Sequence, residues 1–140
     1  MNKTFKKITA SIMAVTTLAV SIVGMNANAA TPVYKYNTSY GTLTGSINVS
    51  GSTAKTVTFK TTTTNEAYKL VTSGDVDDYS TGELVSGFGP ITKNNTNTYS
   101  GSISWPFYIG SQVSAFGAHE AKTQSGTAWV VYTSKTGFYI

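Results

Sequence analysis

Apolar side chains and small hydroxyl side chains alternate one by one along much of the chain, and this pattern restricts the fold more than any other feature. In residues 40–50, Leu43 and Ile47 lie on one side, and threonine and serine lie on the other. In residues 55–63, Phe59 alternates with threonine in the same way. A period of two is typical of a half-buried β-strand, and no helical spacing of apolar residues occurs after residue 30. The pattern therefore predicts an all-β protein.

Turn signals divide the remaining sequence into about seven or eight short strands. Residues 73–82 contain three aspartates and two glycines, and they predict a loop. The next strand is expected to end at Gly89-Pro90, because proline cannot donate a hydrogen bond to a strand ladder. A polar turn is predicted at residues 93–97. Since each strand has one apolar face, we expect a small antiparallel β-sandwich with a shared core. The aromatic residues predicted for this core are Phe59, Tyr99, Trp105 and Phe116.

Residues 1–29 have the three parts of a secretory signal peptide. Three lysines among the first seven residues form a basic start, residues 8–23 carry no charge, and Ala27 and Ala29 supply small residues at a cleavage site. A retained membrane anchor is the alternative, but a spanning helix needs about 20 predominantly apolar residues. This stretch is shorter and contains several threonines and serines. We expect cleavage after Ala29 and one secreted domain, residues 30–140.

The net charge of +4 depends on this segment, because three of the ten lysines lie within it. The other lysines are scattered singly, and the chain has no arginine. Nucleic-acid-binding proteins concentrate basic residues in a patch or stripe, so we expect no nucleic-acid partner. The chain also has no cysteine, which excludes disulfides and a cysteine-linked lipid anchor. We expect release from a bacterial cell, of the Gram-positive kind, or loose attachment to its envelope.

His119 is the only histidine and the first candidate for catalysis. A zinc protease motif needs a second histidine one helical turn away, and a serine hydrolase of the nucleophile-elbow type needs Gly-x-Ser-x-Gly. Neither pattern occurs. We therefore expect no enzyme, and we expect His119 to form local hydrogen bonds in a loop or at a strand end.

The densest acidic cluster is a candidate metal site. It consists of Asp75, Asp77 and Asp78, with Glu83 nearby. Calcium takes six to eight oxygen ligands, and loops between strands can supply them, although the spacing does not fit an EF-hand. The alternative is a solvated turn whose aspartates accept hydrogen bonds from the local backbone. We expect no cofactor, with calcium as the open alternative.

Aromatic residues are the strongest indication of a binding surface. Exposed Tyr and Trp side chains dominate the binding energy of many interfaces, and their rings can also stack on sugars. Trp129 has the opposite parity to Val130 and Tyr132, so one of these two sets faces outward. The predicted binding residues are Tyr34, Tyr36, Trp105, Tyr108 and Trp129.

The stretch 105–134, rich in serine, glycine and aromatic residues, resembles the lactococcin-type family of small secreted β-sandwich bacteriocins. The resemblance implies an antibacterial role and assigns no residue. The leading hypothesis is a non-enzymatic extracellular binding module that recognises a cell-surface glycan or an envelope protein through exposed aromatics. The alternative is a small bacteriocin-like or membrane-active toxin, because a hairpin of alternating apolar and hydroxyl residues at 40–63 suits a membrane barrel. Only this alternative has the membrane as its partner.

Overall fold

The computed structural model describes residues 33–52, 54–105 and 109–140, and all regular elements in these ranges are β-strands. They are β1 (Val33–Thr38), β2 (Gly41–Ser50), β3 (Lys55–Asp78), β4 (Leu84–Trp105), β5 (Gln112–Lys122) and β6 (Ala128–Tyr139). The all-β prediction is confirmed. In these ranges there is no helix long and apolar enough to cross a membrane. The predicted signal peptide and its cleavage site lie outside the described residues.

All six strands belong to one antiparallel sheet, in which β3 is central. One edge of β3 pairs with β4 along nearly its whole length. The other edge pairs first with β2 and, further along, with β5. The strand order is therefore β1-β2-β3-β5-β6, with β4 attached beside β3.

The sheet curls because the long hairpin of β3 and β4 bends in the middle. The pairing of β3 with β4 shifts register between Thr62 and Ala67, and this irregularity lies where the second edge of β3 changes partner. The Phe88 ring stacks on the Phe59 ring at 6.1 Å, although the two residues pair with opposite halves of the hairpin. Strands β1 and β2 consequently pack against β5 and β6.

The core lies inside this curl and has two parts. One cluster contains Phe59 and the other contains Leu70, and both residues are fully buried. The other buried members of the first cluster are Ile47, Val57, Val76, Val113, Ala115 and Ile140. The second cluster also contains Leu43, Ala67, Ala121 and Val131. Inward positions of β2 and early β3 match the alternation in the sequence.

The predicted number of strands is wrong, because β3 and β4 each continue through segments that were expected to interrupt them. Residues 73–78 belong to β3, so the predicted loop at 73–82 is reduced to the short connection between β3 and β4. Strand β4 also continues through Pro90 and through the predicted turn at 93–97. Pro90 lies opposite the register shift between Thr72 and Gly74 of β3, where it has no paired residue, so its missing N–H removes no bond of the ladder. Residues 93–97 are polar on both faces of this exposed strand, and this is why the sequence there resembles a turn.

Candidate functional site

The predicted binding aromatics that can be described pack in part against the core. The rings of Tyr36 and Trp129 are half-buried against the Leu70 cluster, and Trp105 is half-buried against the Phe59 cluster. The structure therefore places these three residues on two different parts of the core. The side chain of Tyr34 and all of Tyr108 lie outside the described residues.

The position of Trp129 is set by its contact with Tyr40. The two rings meet edge to face, with their centroids 6.2 Å apart. The Tyr40 hydroxyl donates a hydrogen bond of 3.3 Å to the carbonyl of Lys122. This arrangement ties the turn between β1 and β2 to the segment around the turn between β5 and β6, so Trp129 contributes to packing.

The three aspartates of the predicted metal site are among the last residues of β3, just before the turn to β4, and do not lie in a loop. Asp75 is half-buried, whereas Asp77 is buried. Asp78 accepts hydrogen bonds from the backbone and hydroxyl groups of Ser80 and Thr81, and these bonds lower the pKa of its carboxyl. Asp78 thus organises the turn. Among the described side chains, no group of three or more metal-binding residues is placed to hold an ion.

His119 lies in the middle of the core, so the prediction of a loop or strand-end histidine is wrong. It is completely buried on β5 and cannot reach a substrate in this conformation. Its Nδ1 atom lies 2.8 Å from the Thr61 hydroxyl, and its Nε2 atom lies 2.8 Å from the Thr133 hydroxyl. The Thr61 hydroxyl also lies 2.6 Å from that of Thr72. This network joins the two halves of β3 directly.

The imidazole of His119 is neutral at pH 7, and its surroundings leave room for the ring. Burial lowers the pKa of His119 to about 3. In the neutral ring one nitrogen donates and the other accepts, and threonine hydroxyls can fill either role. A Cβ atom at Gly45 would lie 2.3 Å from the ring, and one at Gly117 would lie 2.8 Å from Nε2. Glycine at these two positions therefore makes room for the side chain.

A surface with aromatic and acidic side chains lies on the outside of the sheet, behind this network. We call it the Tyr132 face. Its residues are identified by direct cross-strand pairing, since paired residues share a face. Three rows cross it from β3 through β5 to β6: Asp75–Phe116–Ser134, Ser73–Ala118–Tyr132 and Val71–Glu120–Val130.

The centre of the Tyr132 face carries a small side chain. Ala118 is the smallest apolar side chain there and is nearly buried, whereas Tyr132 beside it is 37% exposed. Phe116 precedes Ala118 by two residues on the same side of β5 and is half-buried. The face therefore combines a small central side chain with two aromatic neighbours.

Two acidic residues, Asp75 and Glu120, lie in the rows on either side of Ala118. Burial raises the pKa of Asp75 and of Glu120, and Lys122, which lies 3.2 Å from Glu120, acts in the opposite direction on Glu120. Burial, and secondly the charge of Glu120, raise the pKa of Tyr132. The phenol is therefore a hydrogen-bond donor at neutral pH, and the carboxyl oxygens of Asp75 and Glu120 can accept hydrogen bonds.

Sequence reasoning missed this surface because the burial pattern of β5 is unusual. Phe116 was expected in the core, but it pairs with Asp75 and Ser134 on the outside. The inward positions of the same strand hold Gly117 and His119. The parity of Trp129 and Tyr132 was the available signal, and the structure shows that Tyr132 is the outward residue.

The outer face at the other end of the curled sheet is different. We call it the hydroxyl face, because its pairs across β2, β3 and β4 are almost all threonine and serine. Its threonine and serine members are Thr44, Ser46, Ser50, Thr56, Thr58, Thr62, Thr98, Ser100, Ser102 and Ser104, and Asn48 and Lys60 lie among them. Hydroxyls bridge β3 and β4 between Thr56 and Ser104 at 3.0 Å and between Thr58 and Ser102 at 2.9 Å.

A comparison of the chain with models of known protein families finds no match, and neither does a comparison with curated protein sequences.

Proposed function

We propose that this protein is a secreted, non-enzymatic binding module that recognises a glycan of a cell envelope through the Tyr132 face. The observation that carries the proposal is the placement of Phe116, Ala118 and Tyr132 on one outer face of the sheet, with Asp75 and Glu120 in the neighbouring rows. In this proposal the curled sheet acts as a small sandwich, with the Tyr132 face outside one layer.

The chemistry of the face suits a sugar. Aromatic rings present an apolar surface that can lie against the C–H groups of a pyranose, and the Tyr132 hydroxyl adds a polar edge. Carboxylates beside the rings accept hydrogen bonds from sugar hydroxyls, and charge-assisted bonds of this kind are the stronger ones. Binding sites generally combine an apolar surface with a few well-placed polar groups.

The proposal is tested with a glycan array and with retention on whole bacterial cells. Tyr132→Ala is expected to abolish retention while the protein stays folded, since the side chain is exposed. Tyr139→Ala is the matched control, because Tyr139 is also exposed but lies outside the Tyr132 face. Absence of retention on every glycan and cell, or equal loss in both variants, would overturn the proposal.

A second candidate function, a membrane-active toxin, is favoured by the tip of the β3–β4 hairpin. Tyr79, Leu84 and Val85 are exposed there, at 55%, 53% and 40%. Exposed apolar residues at a hairpin tip can enter a membrane interface. Leakage of dye from liposomes and inhibition of bacterial growth distinguish this candidate. Leu84→Lys is expected to remove both effects, and it should leave glycan binding by the Tyr132 face unchanged.

A further inference from the structure

The outer edge of β4 is a long and open strand edge. Strand β4 has 22 residues, and within the described ranges only β3 pairs with it. An open edge presents a row of free N–H and C=O groups, which can pair with another strand. Native proteins usually protect such edges with proline, charged residues or irregular backbone.

The two halves of this edge are protected very differently. The first half contains Pro90, which has no N–H, and the charged Lys93. It also contains two positions with positive φ, Gly89 at 77° and Asn95 at 49°. Residues 97–105 contain no proline, no charged residue and no positive φ. Only the second half is therefore open to strand addition.

The inward side chains of this unprotected segment are incompletely covered. Ile103 and Trp105 pack against the Phe59 cluster but remain half-buried. Tyr99 is also half-buried, and its ring stacks with Phe88 and lies under the ammonium of Lys93. A further strand beside β4 would cover the exposed edges of these side chains.

We propose that residues 97–105 pair antiparallel with the same residues of a second copy of this chain, across a two-fold axis at Gly101. In this register Ser100 faces Ser102 of the second copy, and Tyr99 faces Ile103. Further from the axis, Thr98 faces Ser104. Paired residues are both odd-numbered or both even-numbered, so the outer faces of the two sheets lie on the same side. The hydroxyl face therefore continues from one copy into the next.

We expect the added strand to come from a second copy of this chain because the segment 97–105 is complementary to itself. Antiparallel pairing about a two-fold axis brings the same patch of both copies together. Hydroxyl then faces hydroxyl, as Thr58 and Ser102 already do within one chain. An aromatic residue faces a β-branched one, which is a favourable cross-strand pair. No like charges meet, because the segment has none.

The test is the self-association of the purified protein, followed by sedimentation velocity over a range of concentrations. A dimer with a dissociation constant on the order of micromolar is expected for an interface of this small size. Ser102→Lys is expected to weaken the dimer at least about tenfold, because it brings two added charges and Lys60 of each copy close together. Ser102 is exposed, so the fold tolerates the change.

The register is tested by restoring the charge balance. In Ser100→Glu/Ser102→Lys, each new glutamate faces a new lysine of the other copy, and dimerisation is expected to return. Asn48→Lys is the matched control, because it adds the same charge to the same face on β2, away from the edge. A wild-type protein that stays monomeric at millimolar concentration would overturn the proposal. So would equal effects of Ser102→Lys and Asn48→Lys, or no recovery in the double variant.

Discussion

The two outer faces of the curled sheet are built by the same strand and yet have opposite characters. The first half of β3 alternates regularly, with Val57 and Phe59 inside and Thr56 and Thr58 on the hydroxyl face. The second half places Thr72 inside, beside buried His119, and Val71 on the Tyr132 face. Where the interior is polar, apolar and aromatic side chains occupy the outside.

This difference concerns how the two faces use their side chains. The side chains of the hydroxyl face are polar and hydrogen-bond to one another across strands. The Tyr132 face holds apolar area that does not contribute to the core. Exposed apolar area bordered by polar groups is typical of an interaction site, and this is why we propose binding at the Tyr132 face and not at the hydroxyl face.

The largest expected effect is the loss of stability when acid protonates His119, which lies in the interior behind the Tyr132 face. The pKa of this histidine is about 3 in the folded protein and 6.5 in the ordinary, exposed state. Since the unfolded chain binds the proton more readily, stability is complete above pH 6.5 and is lost as the pH falls toward 3. The free energy of unfolding is expected to fall by about 3 kcal/mol between pH 7 and pH 4. Urea denaturation at several pH values measures it.

His119→Gln is the control for this titration. The pKa values of Asp75 and Glu120 are raised by burial, so their protonation favours the folded state as the pH falls and opposes the effect of His119. The variant is expected to be less stable at pH 7 but to lose little further stability on acidification through this range, because the lowered pKa of Asp78 is opposed by the raised pKa values of Asp75 and Glu120. An equally steep loss in the variant would assign the pH dependence to other groups.

A side chain at Gly45 is expected to have the next largest effect. In Gly45→Val the Cβ atom would lie 2.3 Å from the His119 ring. Overpacking of this kind costs about 2 to 3 kcal/mol. Ser46→Val, one residue away on the hydroxyl face, is expected to change stability by less than about 0.5 kcal/mol. Thermal unfolding of both variants compares the inside with the outside of the same strand.

Trp129→Ala and Tyr132→Ala separate packing from binding on β6. Trp129 is half-buried against Tyr40, so its removal is expected to cost about 2 kcal/mol. Tyr132 is exposed, and its removal is expected to cost less than about 1 kcal/mol. Urea denaturation measures both. A larger loss for Tyr132→Ala would show that the Tyr132 face is structural.

The hydroxyl face is expected to be the most tolerant region. Thr58→Val removes the bond between Thr58 and Ser102, which is exposed to water. Water replaces the lost partner, and valine favours a strand, so the change in stability is expected to stay within about 0.5 kcal/mol. Thermal unfolding checks this. A loss of 2 kcal/mol would mean that the hydroxyl bonds stabilise the sheet as strongly as core contacts do.

Sequence reasoning succeeded where alternation is regular and failed where local signals conflicted with distant contacts. The inward residues Leu43, Ile47 and Phe59 follow the period of two and are fully buried. Pro90 and residues 73–78 carry local signals for a break, and both lie within strands because their neighbours in the sheet accommodate them. Of the candidate site, only the parity of Trp129 and Tyr132 was visible beforehand.

The sequence by itself determined that this chain forms strands and no helices in the described ranges, because the period of apolar residues sets the local backbone geometry. The tertiary structure decided where the β3–β4 hairpin bends and that His119 is enclosed by three threonines. It also decided that Phe116 and Tyr132 share the outer face of the sheet. Local periodicity cannot specify these features, because each depends on contacts between residues far apart in the chain.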